Sequence, residues 1–379
     1  MHRYGSPTSR RHRRVSALAG TLLLGLAACG STGSGDTAGG QAEASGQGTP
    51  LAGAPSWCGT KKITLALADG FGGNNWRQVT AAEARDEASK CPSVTDFSYA
   101  DGQGNTQKAI SDVQGFVAKG VDALVVFPDA GQAMLPALRS AHDAGVVTVP
   151  YRVDPGGRPG KDYDAFISTD FSKAGELWAQ FLVKALPDGG TVLNLGGPAA
   201  NSQSQAEYEG MQRVLKDHPD ITFVGQTPYA VTNWDPAQTQ RVVTAALATN
   251  PKIDAVTTDF GSALASAFGA FDQAGRPIPT IATEDSNQLA CDYRDRKEAG
   301  KGFELFTVDS QNAMGRLAVQ YAVAKASGGV LPDTTEFPQT AFEDSLSGQP
   351  HPVQCDDQLP PDAFVSSTLT PEQQIAALK

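Results

Sequence analysis

The sequence predicts an α/β protein with parallel sheets, helices on both sheet faces, and two lobes. From Lys61 onward, short β-branched runs alternate with longer amphipathic runs. In the segment Gln107–Lys119, for example, Ile110, Val113 and Phe116 recur at helical spacing. Strands that alternate with helices are typical of doubly wound parallel sheets. Because 379 residues exceed what one hydrophobic core usually serves, we expect two lobes.

Ten short runs are the predicted strands, and helix-length segments separate most of them. In chain order they are Ile63–Ala68, Val94–Tyr99, Ala123–Phe127, Val146–Pro150, Ala165–Ser168, Thr191–Leu195, Thr222–Gln226, Ala255–Thr258, Thr280–Thr283 and Phe303–Val308. Ligands of such folds bind outside the carboxyl ends of the strands. The residues that follow each strand are therefore the candidates for function.

The N-terminus, residues 1–28, reads as an export signal. Five arginines precede an apolar run, Val15–Ala28, that is too short to remain as a membrane-spanning anchor. The sequence Leu-Ala-Ala-Cys-Gly that ends this run resembles the lipobox of bacterial lipoproteins. The resemblance implies that Cys29 is lipidated and becomes the new N-terminus. The paired arginines leave both the general secretory and the twin-arginine export routes open.

Residues 29–58 are predicted to form a lipid-anchored flexible linker. Between residues 30 and 57, Gly, Ser, Ala, Thr and Gln predominate and large apolar side chains are almost absent, so this stretch has too little surface to bury. Five of the 30 Lys and Arg lie in the signal, which leaves 25 basic against 41 acidic residues. This acidic balance argues against nucleic acid as a partner. We expect an extracytoplasmic domain that touches the membrane only through its anchor.

Four cysteines follow Cys29, and an even number outside the cell suggests disulfides. Cys58 precedes the first strand and Cys91 follows the first helix, which places both at the same edge of a sheet. We therefore predict that Cys58 pairs with Cys91 and Cys291 with Cys355. A zinc site is the alternative, although neither a closely spaced cysteine pair nor clustered histidines supports it.

The strand ends are rich in carboxylates, amides and aromatic residues, with one arginine. They carry Asp69, Phe71 to Trp76, Asp101, Gln103, Pro128, Asp129, Tyr151, Arg152, Asp154, Gly196, Gly197, Asp259, Glu284, Asp285, Asn287 and Asp309. Carboxylates accept hydrogen bonds from hydroxyls, arginine donates to ring and hydroxyl oxygens, and aromatic rings stack on sugar rings. This set favours a neutral polyhydroxylated ligand, although any single acid could instead cap a helix or form a turn.

The glycines after the first strand, Gly70, Gly72 and Gly73, raise the possibility of a phosphate site. The stretch matches neither of the glycine-rich phosphate-binding patterns, however. We expect these glycines to turn the chain so that Asn74, Asn75 and Trp76 face a cleft. No cofactor and no metal are predicted.

Several segments together resemble the type I periplasmic sugar-binding proteins, the solute-binding subunits of ribose/galactose-type ABC importers. They are "KITLALADGFGGNNWR", "DGQGNTQKAISDVQGFVAKGVDALVVFPD", "VVTVPYRVD" and "IDAVTTDFGSALASAFGAF". The resemblance runs from Lys61 to about Gly329. It implies two similar lobes, joined by three crossovers, that close on a monosaccharide-sized ligand and face an ABC permease as a monomer. The implied bounds are 59–168 plus about 310–335 for the first lobe, and 169–309 plus about 336–379 for the second lobe and tail.

The resemblance also carries the family's binding positions onto this chain. The residues after its first strand fall on Asn74, Asn75 and Trp76, and its Asp-Arg pair falls on Tyr151-Arg152, where Asp154 substitutes for the acid. In the second lobe the positions fall on Gln205, Trp234, Asp235, Asp259, Asp285 and Asp309. With Asp101 from the strand ends, these residues form the predicted site. Gln205 stands where the family has an arginine, and Asp259 and Asp309 stand where it has amides.

Three functional readings follow. The leading one is a lipid-anchored receptor that binds a monosaccharide, polyol or cyclitol by lobe closure. The acidic strand ends also permit a cationic ligand such as an amino sugar, polyamine or quaternary amine. A carbohydrate-active enzyme or a sensor module is the third reading, but no catalytic motif supports an enzyme.

Overall fold

The computed structural model describes residues 48–379, so the predicted signal, Cys29 and most of the predicted linker lie outside the described residues. The first lobe is built on four parallel strands in the order β2-β1-β3-β4. Its elements are β1 (Ile63–Asp69), α1 (Asn75–Ser89), β2 (Val94–Asp101), α2 (Thr106–Ala118), β3 (Ala123–Phe127), α3 (Leu135–Asp143) and β4 (Val147–Pro150). All five residues of β3 are buried, as expected where helices cover both faces of a sheet.

The second lobe is built on seven strands, of which only the edge strand β11 is antiparallel. The elements are α4 (Phe171–Ala185), β5 (Gly190–Gly196), α5 (Ser202–Leu215), β6 (Ile221–Val224), β7 (Ala230–Val231), α6 (Pro236–Thr249), β8 (Ala255–Thr258), α7 (Gly261–Ser266), α8 (Phe268–Gln273), β9 (Thr280–Glu284), α9 (Asn287–Glu298), β10 (Leu305–Val308) and β11 (Ala341–Asp344). The remaining helices are α10 (Met314–Ser327) and α11 (Pro371–Ala377). The predicted fold class is confirmed.

The two sheets repeat one contact at the amino ends of their strands. In the first lobe Asp122 accepts a hydrogen bond from the backbone N–H of Thr64 at 2.9 Å. In the second lobe Asp254 accepts the same bond from Thr191 at 2.8 Å. Each aspartate thereby joins the start of one strand to its neighbour. The repetition shows that the lobes share local detail as well as strand order.

The chain passes between the two lobes at their hinge. It leaves β4 for α4, returns from β10 to α10, which packs on α1, and runs back to β11. We expected residues 336–379 to lie with the second lobe and a tail. The last part of this range packs on the first lobe, where Phe364 and Leu369 join the core and α11 contacts α1. The C-terminal segment therefore contacts both lobes.

Two disulfides join the predicted cysteine pairs. Cys58 is bonded to Cys91 beside the first sheet, and Cys291 in α9 is bonded to Cys355 in the C-terminal segment. Paired cysteines lack the free thiolates that a zinc ion binds, so the zinc alternative does not fit these residues.

Three strands differ between the prediction and the structure. Ala165–Ser168 is not a strand: Ile167 and Ser168 form only single bridges, to Tyr151 and Glu336, because this stretch lies in the passage between lobes rather than in a sheet. The short strands β7 and β11 were not predicted.

Among residues 48–379, no helix is long and apolar enough to cross a membrane.

Candidate ligand-binding site

Each lobe has one place where successive connections leave a central strand in opposite directions. In the first sheet this place lies between β1 and β3, whose carboxyl ends carry Asp69 and Asp129. In the second sheet it lies between β5 and β8, followed by Gly197 and Asp259. Crevices of this type are the usual ligand sites of open α/β sheets.

The first-lobe group consists of Asp69, Arg77, Asp129 and Tyr151. Arg77, in the first turn of α1, donates from Nη1 to Asp69 Oδ1 at 3.2 Å and from Nη2 to Asp129 Oδ1 at 2.5 Å. Its guanidinium carbon lies 3.3 Å from the centre of the Phe127 ring. Arg77 is 6% exposed, so these contacts replace water around its charge.

Two buried polar atoms of this group have no hydrogen-bond partner. They are Asp69 Oδ2 and the hydroxyl of Tyr151. Burial raises the pKa of Asp69 to about 6, and Arg77 opposes that rise. Burial also raises the pKa of Asp129. A buried acceptor without a partner is costly, so a ligand that donates here gains an unusually good contact.

Arg152 connects the two lobes. It follows β4 and has a positive φ of 65°, a conformation that is uncommon for a residue with a side chain. Its guanidinium donates to Gln311 Oε1 at 2.9 Å and, across the lobes, to Gln203 Oε1 at 3.1 Å and Glu284 Oε1 at 3.2 Å. The same guanidinium lies 4.4 Å from the Trp76 ring centre. Arg152 is therefore held by groups from both lobes.

The second-lobe group consists of Gln203, Glu207, Asp259 and Glu284. Gln203 Nε2 donates to Glu207 at 3.1 Å and to Glu284 at 3.3 Å. Ser204 donates to Asp259 Oδ2, while Asp259 Oδ1 is buried without a partner. All four side chains are buried.

Burial raises the pKa of every carboxyl of the second-lobe group. Burial raises the pKa of Glu284 to about 8, against the opposing charge of Arg152, and raises that of Asp259 to about 6. Burial also raises the pKa of Glu207 far above its ordinary value, and neighbouring Asp259 and Glu284 add to the shift. Because three such groups with one arginine cannot all ionise, their protons are shared within the cluster.

Aromatic side chains line the junction of the lobes. The Trp76 indole donates to the backbone carbonyl of Ser310 at 2.7 Å, and its ring meets Phe127 edge-on at 6.0 Å. Phe260 from the second lobe joins the same apolar cluster, and the half-buried Trp234 packs against it. Trp234 thus packs against the apolar cluster that contains Trp76.

Several predicted site residues have local structural partners instead. Asn74 and Asp235 cap α1 and α6 by accepting from backbone N–H groups. Asp101 accepts from the N–H groups of Gly72 and Gln103, both at 2.7 Å. Asp285 is buried and accepts from Ser310 and Ser366, so it ties the C-terminal segment to the second lobe.

The other predicted residues divide between the surface and the hinge. Asp154 is exposed and accepts from the backbone of Gly156 at 2.7 Å. Asn75 donates to the Asp362 carbonyl at 2.5 Å. Asp309 lies at the passage into α10, where burial raises its pKa to about 7. Gln205 contacts Glu209 on the outer face of α5 and does not join the second-lobe group.

Four residues of the site were not predicted, namely Arg77, Gln203, Glu207 and Gln311. A polar residue inside a helix normally reads as surface, which hides the first three. The face of the helix on which each residue lies is the sequence signal that could have identified them. Gln203 and Glu207 share a face of α5 with buried Gly210 and Met211. Polar residues on the core side of a helix are candidates for a site.

Comparison with known proteins agrees with this geometry. A family model described as periplasmic binding protein domain matches residues 67–329. The chain belongs to the periplasmic binding protein domain family. Within this family, it is 31% identical over 178 residues to the D-xylose-binding periplasmic protein of Escherichia coli K12, covering 45% of this chain and 52% of that protein.

Other family members show the same partial coverage. A ribose import binding protein of Bacillus subtilis 168 is 26% identical over 197 residues, covering 52% of this chain and 62% of the relative. The chain thus spans roughly half to three-fifths of these two relatives' length.

Solved structures of the family share the fold. A solute-binding protein of an ABC transporter from Thermobispora bispora superposes with a TM-score of 0.65 at 23% identity, covering 83% of this chain and 94% of that one. One from Actinobacillus succinogenes with bound D-allose gives 0.64 at 21% identity, covering 74% and 97%.

Proposed function

We propose that this protein captures a neutral monosaccharide or polyol between its two lobes for an ABC importer. The observation that carries the proposal is the pair of strand-end groups. One lies in each lobe, and each holds a buried carboxylate oxygen without a partner, Asp69 Oδ2 and Asp259 Oδ1. A ligand with several hydroxyl donors satisfies both. The relatives named for xylose, ribose and allose support this ligand class.

The charges of the site argue for a neutral ligand. Arg77 is paired with two aspartates, and the terminal nitrogens of Arg152 are engaged by Gln311, Gln203 and Glu284. Neither guanidinium is left to balance a phosphate or a carboxylate of a ligand. The surrounding carboxyls repel anions, and the tryptophans supply apolar surface for the carbon face of a ring.

Binding and closure are coupled in this proposal. Arg152 belongs to the first lobe but donates to Gln203 and Glu284 of the second, so its contacts form only when the lobes are close. A ligand that contacts both lobes stabilises the closed form by its differential affinity. The proposed role is binding without turnover, in line with relatives that are binding proteins.

The anchor and partner remain part of the proposal. We infer that Cys29 carries the lipid, that residues 29–58 act as a tether, and that the monomeric receptor works outside the cell membrane. The proposed lobe bounds are those expected from the sequence, with the C-terminal segment in contact with both lobes. Incorporation of radiolabelled palmitate, lost in Cys29→Ser, tests the anchor.

The test of the ligand is a thermal-unfolding screen of the purified protein. Pentoses, hexoses, amino sugars, inositols, sugar alcohols and polyamines are added one at a time. A ligand at a hundred times its dissociation constant stabilises by about 2.7 kcal/mol, which raises the midpoint by a few degrees. A shift from a sugar or polyol that is recovered chemically unchanged supports the proposal. A shift from polyamines alone contradicts it, and turnover of the sugar would make the protein an enzyme.

A further inference from the structure

The crevice between β1 and β3 contains a fork of three charged side chains. Arg77 uses one terminal nitrogen for Asp69 Oδ1 and the other for Asp129 Oδ1. Each carboxylate is thereby fixed through one oxygen, and Asp69 Oδ2 is left buried without a partner. The Asp129 side chain remains 28% exposed. The fork therefore presents acceptor atoms from two neighbouring strand ends.

The backbone at Gly70, beside the fork, leaves room for the Asp129 side chain. A Cβ atom added at Gly70 would lie 2.5 Å from Asp129 Oδ2 and 2.9 Å from Asp129 Cβ. Any side chain at position 70 would displace the Asp129 carboxylate from its place next to Arg77. The absence of a side chain at Gly70 is thus a requirement of the fork.

Arg77 itself has little capacity left for a ligand. It is 6% exposed, Phe127 covers one guanidinium face at 3.3 Å, and both terminal nitrogens are engaged by aspartates. Its effect on a ligand is exerted through the two carboxylates. It orients them and favours their ionised form, in which they accept hydrogen bonds.

We propose that Asp69 and Asp129, positioned by Arg77, form a subsite for two adjacent hydroxyl groups of the ligand. Each hydroxyl donates to one aspartate. The Tyr151 ring meets the same Phe127 ring edge-on, with 5.0 Å between ring centres, and its hydroxyl is buried without a partner. This subsite rests on the proposed function, which supplies the polyhydroxylated ligand. Arg77 is a positioning residue, and a lysine there would keep the charge but lose the two-pronged geometry.

The experiment measures affinity by calorimetry for D-xylose, D-ribose and myo-inositol, and for the monodeoxy derivatives of whichever binds. Asp69→Asn and Asp129→Asn replace an acceptor with an amide. We expect each substitution to lower the affinity for the parent compound at least tenfold. The affinity for the derivative that lacks the matching hydroxyl should stay unchanged. Asp122→Asn, the same change at the opposite ends of these strands, is the control and should stay within twofold.

A pH profile separates positioning from general stability. Because the pKa of Asp69 is about 6, affinity should rise as pH increases through that value. Arg77→Met removes the charge that holds this pKa down, so the rise should move to higher pH and lost affinity should return there. If Arg77→Met fails to fold, the aspartate variants and deoxy compounds still decide the question.

The outcomes separate the subsite from the wider function. If the wild-type protein binds a probe and both aspartate variants bind it equally well, the subsite is wrong and the proposed function stands. If an aspartate variant binds one deoxy compound as tightly as the same variant binds the parent compound, the subsite is supported. If the wild-type protein binds none of these probes and no other sugar or polyol of the thermal-unfolding screen, the proposed ligand class and the subsite both fall.

Discussion

The two lobes supply cationic partners to their strand-end carboxyls in different ways. In the first lobe Asp69 and Asp129 share Arg77, which comes from the same lobe. In the second lobe Glu284 pairs with Arg152, which comes from the first lobe. No lysine or arginine of the second lobe, in the part of the chain that the structure describes, forms an ion pair with Glu207, Asp259 or Glu284.

This difference shows which half of the site is complete by itself. The first-lobe group keeps its ion pairs whether the lobes are open or closed. The second-lobe group gains its only cation when the lobes close. A hinge motion therefore changes the electrostatics of the second-lobe group much more than those of the first.

The largest effect is expected from breaking the internal pair of the first lobe. Arg77→Met leaves the buried Asp69 and the partly exposed Asp129 without their cation, and the free energy of unfolding should fall by about 3 kcal/mol. Denaturant unfolding measures this loss. Arg213→Met is the matched control, since Arg213 is half exposed and pairs with the partly exposed Glu176 at the surface, where less than about 1 kcal/mol is expected. Equal losses of stability in the two variants would mean that the first-lobe pair contributes no more than a surface pair.

The next effect concerns the pair that joins the lobes. Arg152→Met removes the donor to Gln203 and Glu284, so affinity for the sugar found in the screen should fall about 100-fold, or about 2.7 kcal/mol. Calorimetry measures the affinity. In an Arg152→Met, Glu284→Gln double variant the second substitution should cost little more, since its partner is already gone. Fully additive losses would show that the two residues act independently.

A smaller effect is expected in the pH dependence of stability. With a folded pKa of about 8 against an ordinary 4.5, Glu284 holds a proton between these values that the unfolded chain has lost. Stability should therefore fall as pH rises through this window, by up to about 1.4 kcal/mol per pH unit. Among the charged groups that face this carboxyl, Arg152 lowers its pKa, whereas Asp259 and Asp285 raise it.

Glu284→Gln tests that slope because glutamine does not titrate. Unfolding curves recorded from pH 5 to pH 9 should be flatter for the variant than for the wild-type protein. Parallel curves would mean that Glu284 is ionised throughout the range and that the proton sits elsewhere in the cluster.

The smallest effect sharpens the assignment on α5. Gln203→Ala removes the amide that bridges Arg152, Glu207 and Glu284, and affinity should fall about five- to tenfold, near 1 kcal/mol. Gln205→Ala, two residues along the same helix, should leave affinity unchanged. A larger loss of affinity from Gln205→Ala than from Gln203→Ala would favour Gln205, the position that the family resemblance implies.

Strand-level features of this protein were predictable from the sequence. Ala123–Phe127 and Ala255–Thr258 were predicted with the bounds they have, because buried parallel strands are short apolar runs between helices. The cysteine pairs followed from the geometry of a strand-helix unit. The edge strand Ala341–Asp344 was missed because its acidic residues read as loop, although Glu343 is buried and accepts from Thr307.

The strand ends predict where the candidate site lies, but they identify only some of its residues. Strand ends identified Asp69, Asp129 and Glu284 as polar groups, yet the helix residues that hold them came from no motif. An error of two positions on a helix rotates a side chain by about 200°, which is why Gln205 points outward and Gln203 inward. The hydrogen bond between Arg152 and Gln311 joins residues that are distant in sequence, so only the folded chain reveals it.

The most direct test of the account is a crystal structure of the protein with the sugar or polyol that gives the largest thermal shift. The account predicts the ligand between the lobes, with hydroxyl oxygens within about 3.2 Å of carboxylate oxygens from both the first-lobe and the second-lobe groups. Arg152 should still reach Gln203 and Glu284. A ligand that contacts only one lobe, or that lies away from the carboxyl ends of the strands, would contradict it.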